Sequence, residues 1–165
     1  MSSTFTPIDH RDPEKFYRAL KTELEALMDR HWITNLSNAC AMLKAHLRDV
    51  NWVGFYLFDQ TELILGPFQG LPACLRIPMG KGVCGTAAKD RKSVLVADVD
   101  LFPGHITCDT NSRSELVIPL LLGSRLLGVL DVDAPIKNRF TTHDQTGLEA
   151  FAEALVKLIQ WPERF

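Results

Sequence analysis

From Phe16 to Met28 apolar side chains return every three or four positions: Phe16, Leu20, Leu24, Leu27 and Met28. That spacing predicts a helix with one buried stripe. Asp12, Pro13 and Glu14 mark its start, with a cap residue, a proline at the first helical position and an acid in the first turn. Ahead of it, residues 1–11 are polar and predict a flexible tail, leaving 12–165 as one domain. A second helix is predicted from about Thr34 to Leu47, with Leu36, Cys40, Leu43 and Leu47 on its stripe. Cys40 is thereby predicted to be core.

At Asn51 the period changes to two. Trp52, Gly54, Tyr56 and Phe58 share one face, and Val53, Phe55 and Leu57 the other, so this strand is apolar on both sides and predicted to be covered on both. Asp59-Gln60 turns it into a second strand, Glu62 to Leu65. Residues 66–82 are rich in Gly and Pro and predict a shaped loop with an extended piece at Leu75–Ile77. A short helix from Val83 to Lys89 and a strand from Val94 to Val96 follow. Asp98 to Ser114 is long, polar and aperiodic, a kind of loop that compact domains keep for function or leave disordered.

Glu115–Leu122 and Leu126–Asp133 predict a hairpin across Gly123-Ser124-Arg125. Thr142-His143-Asp144-Gln145 resembles a capping box and opens a last helix carrying Leu148, Phe151, Leu155, Leu158 and Ile159. The pattern predicts an α+β fold, a central antiparallel sheet with the N- and C-terminal helices packed on one face.

The hairpin carries an unusual feature. Asp131 and Asp133 point to the same face of a strand that is otherwise apolar. A two-residue turn would pair Glu115 with Val132 and send Glu115 to the opposite face. A three-residue loop would pair Glu115 with Asp133 and gather three carboxylates. Opposed like charges destabilise a sheet unless they bind a cation or share a proton, which raises at least one pKa. The other reading is a solvated strand end beside Ala134–Asn138.

Composition narrows the function. The 165 residues are 46% hydrophobic and 23% charged, with net charge −2. No basic cluster is longer than Arg91-Lys92, which argues against nucleic acid as a partner. No apolar run approaches membrane length, and Met1–Asp12 lacks the apolar core of a signal peptide. The expectation is a cytoplasmic protein, where a disulfide is transient and catalytic rather than structural. Against that background Cys74, Cys84 and Cys108 fall within 35 residues, in Gly/Pro-rich stretches that read as loops or helix starts. Thiols so placed can approach one another, which suggests thiol redox chemistry. Taken singly, each could be a small core residue.

Several stretches together resemble the GAF-domain enzymes that reduce free methionine-R-sulfoxide. They are Gly66-Pro67-Phe68-Gln69-Gly70, Cys74-Leu75-Arg76-Ile77-Pro78, and Gly80-Lys81-Gly82-Val83-Cys84-Gly85-Thr86-Ala87-Ala88. Phe102-Pro103-Gly104-His105-Ile106, Cys108-Asp109, Ser112-Arg113-Ser114-Glu115 and Leu127-Gly128-Val129-Leu130-Asp131-Val132-Asp133 complete the set. The similarity runs from about Trp52 to Phe151. It implies a single GAF domain with Cys108 as nucleophile and Cys74 as resolving thiol, while Cys84 relays or backs up the disulfide. It implies Glu115, Asp131 and Asp133 as substrate-binding carboxylates and Trp52 and Tyr56 as an aromatic pocket. It implies no bound cofactor, thioredoxin as reductant with NADPH acting through thioredoxin reductase, and a homodimer. Ala134 departs from the serine expected in many relatives and could alter the surroundings of Asp133.

The chemistry suits these residues. A Cys108 thiolate attacks the sulfoxide sulfur, an acid of raised pKa protonates the departing oxygen, and the resulting sulfenic acid condenses with a second thiol. The α-ammonium of a free amino acid would relieve the acid cluster. Three other readings stay open. One is a GAF module that binds a small ligand without chemistry. Another is a zinc site using His105 with the cysteines, although the spacings lack a Cys-x-x-Cys pair. The third is a Cys108–His105 hydrolase pair. His10, His31, His46 and His143 are predicted to lie on the surface.

Overall fold

The computed structural model describes residues 6–165. Six antiparallel strands form one sheet: β1 (Trp52–Phe58), β2 (Glu62–Gln69), β3 (Arg76–Pro78), β4 (Val94–Val96), β5 (Ser114–Leu122) and β6 (Arg125–Ala134), in the spatial order β3-β2-β1-β6-β5-β4. Helices α1 (Pro13–Leu27), α2 (Trp32–His46) and α4 (Thr142–Leu158) cover one face, and α3 (Gly82–Asp90) lies on the other. This is the α+β arrangement that the periodicity predicted.

The period-2 residues of β1 divide as read. Val53, Phe55 and Leu57 enter the core beneath the three long helices, whereas Trp52 and Tyr56 enter the second core with α3. Cys40 sits in the first core, its Sγ donating to the Pro67 carbonyl oxygen at 3.1 Å. The second strand runs four residues beyond its predicted end, to Gln69, because Gly66–Gln69 continue the pairing with β1 past an irregularity between Gly54 and Tyr56.

Helix α4 is capped one residue earlier than predicted. The Thr141 hydroxyl accepts from the Asp144 backbone N–H, and the Asp144 carboxylate accepts in turn from the Thr141 backbone N–H. Asp144 also accepts from the Tyr17 hydroxyl at 2.7 Å, which ties α1 to α4.

Two other expectations need correction. His46 is not at the surface: it is buried between α1 and α2, its Nε2 3.0 Å from Glu23 Oε2. It follows Leu43 by one helical turn and so shares the inward side. The predicted tail falls in part on residues 1–5, outside the described residues. Of residues 6–11, Ile8 packs against the core and the His10 ring stacks on Phe16 at 4.2 Å.

The hairpin resolves its two candidate registers in an unforeseen way. The turn has two residues, with Leu122 opposite Arg125, yet Glu115 still faces Asp133. The pairing shifts between Leu120, opposite Gly128, and Leu121, opposite Leu126, so Leu127 is an extra residue in β6. This β-bulge moves the pairing by one residue and turns Glu115 back to the face of Asp131 and Asp133. Gly128, at φ +152°, follows the bulge, and a Cβ there would stand 2.1 Å from the Tyr56 carbonyl oxygen. Gly128→Ala should therefore destabilise the fold by roughly 2–4 kcal/mol, read as a lowered urea midpoint. An unchanged midpoint would show that β1 and β6 tolerate separation at the bulge.

Candidate active site

Three carboxylic acids, a thiol and a disulfide meet around one small cavity on the α3 side of the sheet. Glu115 on β5 and Asp131 and Asp133 on β6 point into it and are 6%, 6% and 9% exposed. Cys84, in the first turn of α3, is buried above them with its Sγ 3.9 Å from Glu115 Oε1. The cluster is thus a buried floor, and the reading of a solvated strand end does not hold.

Cys74, from the loop before β3, and Cys108, from the loop before β5, are joined by a disulfide with a Cα–Cα distance of 5.2 Å. Cys108 lines the cavity together with His105, Asp109 and Ser112. The cavity itself is about 30 Å³, far below the ~300 Å³ at which small-molecule pockets usually begin. With the disulfide in place the cavity has no room for a molecule of that size.

Trp52 and Tyr56 lie on the same sheet face, as the period-2 reading had it, with ring centroids 5.9 Å apart. The indole extends over Gly54, where a Cβ would stand 2.3 Å from its ring, and it stacks on Phe68. Both aromatics are almost fully buried and neither is on the cavity wall. Instead they carry the Cys74 loop: the Trp52 indole N–H donates to the Leu71 carbonyl at 3.1 Å, and the Tyr56 hydroxyl to the Cys74 carbonyl at 3.0 Å.

Three residues at the site were not singled out as candidates from the chain. Asn51 Nδ2 donates to Asp109 Oδ2 at 2.9 Å and to Ser112 Oγ at 3.1 Å, and its backbone N–H donates to the Asp133 carbonyl. It fastens the loop after Cys108 to the strand that carries Asp133. Asp109 and Ser112 stand in stretches that were recognisable, but burial alone distinguishes them from ordinary loop residues. Ala134, in contrast, packs into the core under the long helices. Its side chain is on the face opposite Asp133, and that alternation removes the expected effect on the acid.

Burial governs the electrostatics. Loss of water is the largest influence on all three acids, and it raises each of them. Asp131 is pushed up to about 6. Glu115 and Asp133 are held well above the usual carboxylate range, by burial first and then by the Asp131 charge. Burial likewise pushes the Cys84 thiol up, with the Asp131 and Glu115 charges adding to it. His105, its Nε2 3.8 Å from Glu115 Oε2, is lowered by desolvation and so favours the neutral imidazole. The site holds protons near neutral pH on groups that would lose them in water, and it sets them beside a redox-active pair of sulfurs.

Comparison with known proteins agrees with this geometry. The GAF domain family model matches residues 31–159. The free methionine-R-sulfoxide reductase of Escherichia coli is 44% identical over 147 residues, covering 88% of this chain and 89% of that protein. The structure of fRMsr of Staphylococcus aureus in its reduced form is 48% identical, with a TM-score of 0.83, covering 95% of this chain and 99% of that one. The free methionine-R-sulfoxide reductase of Neisseria meningitidis, solved in complex with its substrate, superposes with a TM-score of 0.86 at 42% identity, covering 91% and 92%. The chain belongs to the GAF domain family and, within it, to the family of the free methionine-R-sulfoxide reductases. No helix among the described residues is long and apolar enough to cross a membrane.

The raised acids link stability to pH. An aspartate titrates near 3.8 when unperturbed and Asp131 near 6 in the fold. Between those values the fold holds a proton that the unfolded chain has lost, so stability falls as pH rises through the interval and stays lower above it. The difference is on the order of 3 kcal/mol. Asp131→Asn keeps the neutral form at every pH. Its melting temperature relative to the unaltered protein should climb from about pH 4 to pH 7, and an offset independent of pH would contradict the assignment.

Proposed function

We propose that this protein reduces free L-methionine (R)-S-oxide to methionine. The observation that carries the reading is the Cys74–Cys108 disulfide, whose Cys108 lines the same cavity as the three buried acids. A module that only bound a small ligand would leave that disulfide unexplained. The S. aureus and N. meningitidis relatives, both described with substrate bound, support the same substrate.

In the proposed cycle, reduction of the disulfide comes first. Freed from Cys108, the Cys74 loop can lift from Trp52 and Tyr56, which then offer an apolar wall to the substrate methyl group. The α-ammonium sits among Glu115, Asp131 and Asp133 and compensates charge that burial otherwise suppresses. The Cys108 thiolate attacks the sulfoxide sulfur, and a protonated acid of the cluster delivers the proton that the oxygen requires. Methionine leaves and Cys108 becomes a sulfenic acid. The Cys74 thiol displaces hydroxide from that sulfur, giving the disulfide and, with the proton, water. Thioredoxin, reduced by thioredoxin reductase and NADPH in the cytoplasm, returns both thiols by exchange. Cys84 has neither loop freedom nor a low thiol pKa, so its part is to line the site and stand in reserve.

The deciding assay is thioredoxin-coupled NADPH oxidation with the free R-sulfoxide, the S epimer and a blocked, peptide-like sulfoxide supplied separately. Turnover should occur on the free R form alone. No turnover on any of them, with thiols still titratable afterwards, would overturn the reading in favour of a ligand-binding domain. Cys108→Ser should abolish activity, a loss of at least ~10³-fold on the scale usual for a removed nucleophile. Cys74→Ser should retain one turnover with a small thiol but lose recycling by thioredoxin. Full steady-state rates in Cys74→Ser would refute its role as the resolving thiol.

A further inference from the structure

Cys84 is the one sulfur at the site to which the proposed cycle gives no chemical step. One ligand atom from each of Cys84, Glu115 and Asp131 can be chosen so that all three lie within 4.8 Å of one another, and all three residues are buried. Asp131 is 6% exposed, lines the cavity, and has an Oδ1 without a hydrogen-bond partner among the described residues. His105 stands on the same wall, with Nε2 3.8 Å from Glu115 Oε2. The space they enclose, about 30 Å³, exceeds the ~10–15 Å³ that one water requires.

We propose that this cavity is a Zn²⁺ site, with Cys84, Glu115 and Asp131 as ligands and His105 completing the set. The donor chemistry selects the ion. Calcium and magnesium seek six or more oxygens, whereas one thiolate, two carboxylates and an imidazole are zinc's own ligand types. Zinc bonds of about 2.0–2.3 Å hold tetrahedral neighbours ~3.5 Å apart. Cys84 Sγ and Glu115 Oε1, at 3.9 Å, are already near that spacing, and the Asp131 donor lies within 4.8 Å of both residues. His105, 3.8 Å from the other Glu115 oxygen, has to turn inward to take the fourth position. Binding needs no oxidant: the Cys84 thiol releases its proton to solvent, the ion takes the thiolate, and the unpartnered Asp131 oxygen gains a ligand bond.

The site exists while Cys74 and Cys108 are joined, so it stands independently of turnover. On the reductase reading, the ion and a substrate ammonium compete for the same carboxylates, and an occupied site is an inhibited one.

The test uses the full chain in its disulfide form, in which Cys40 and Cys84 are the remaining free thiols. Equilibrium dialysis against Zn²⁺ near neutral pH should give one tight equivalent per chain. Co²⁺ in its place should show a thiolate-to-cobalt charge-transfer band. Cys84→Ser should bind Zn²⁺ ~100-fold more weakly and lack the band, and His105→Ala should bind ~10-fold more weakly and keep it. Cys40→Ser should match the unaltered protein. Absence of a tight equivalent in the unaltered protein overturns the proposal, and so does a folded Cys84→Ser protein that binds zinc equally well. Should Cys84→Ser not fold, Glu115→Gln makes the same comparison with the same two outcomes. Failure here leaves the turnover assay of the dithiol form untouched, so the two readings fall separately.

Discussion

Three carboxylic acids buried on one face of a two-stranded hairpin cannot all be charged. Each loses hydration that the interior does not replace, and each charge raises its neighbours further. Nothing in the sheet relieves this: Glu115 and Asp133 stand directly opposite each other, where like charges are least welcome. The cluster is stable only if it keeps protons or acquires a cation. Both outcomes are chemically useful, one as a store of acid near neutral pH and the other as a receptor for ammonium or metal. The bulge at Leu127 creates this situation by keeping Glu115 on the acidic face despite the two-residue turn.

The disulfide and the aromatics act on the loop beside this cavity, whose wall includes Cys108 but neither aromatic. Trp52 and Tyr56 donate from the sheet to carbonyls of the Cys74 loop, and Cys108 holds that loop down covalently. Cutting the sulfur bridge leaves the two side-chain hydrogen bonds and the backbone bond from the Leu65 N–H to the Leu75 carbonyl, each with a net worth of only about 1 kcal/mol. Opening in the proposed cycle would therefore be coupled to reduction. In the proposed cycle, a reduced state with the loop lifted would admit a molecule for which the cavity of about 30 Å³ under the disulfide has no room, and no separate gate would be needed.

Most of the architecture was legible along the chain, because helices and strands of this protein bury clean stripes. Leu20, Leu24, Leu36 and Leu43 announced their helices, and the alternation from Trp52 to Leu57 announced a strand covered on both faces. The acid cluster was legible only as an alternative. Turn length alone gave two registers, and the observed one combines the two-residue turn with the pairing expected of three residues. A bulge has no strong residue signature, although Gly128 beside it was a hint. Asn51 was missed because a lone asparagine at a strand start looks like turn chemistry, and its role depends on Asp109 and Ser112, about 60 residues away. His46 was misplaced because a polar residue on an apolar stripe is assigned to solvent unless its partner, Glu23, can be foreseen. Trp52 and Tyr56 were assigned to a pocket, and whether they line one depends on the position of a loop that the chain does not fix.

Buried charge also explains why such a site would choose a free amino acid over a methionine within a protein. A missing methylene changes binding by only about 1–3 kcal/mol, whereas leaving a buried polar or charged group without its partner costs more. A peptide-bound methionine sulfoxide brings the same sulfur, oxygen and methyl group, but no ammonium. It would leave Glu115, Asp131 and Asp133 to settle their charges among themselves, and a carboxylate ionised without compensation opposes closure of the loop above it. Selectivity would then come from the floor of the cavity rather than from the width of its mouth. The group that recognises the substrate and the group that supplies the proton would be the same cluster in different protonation states.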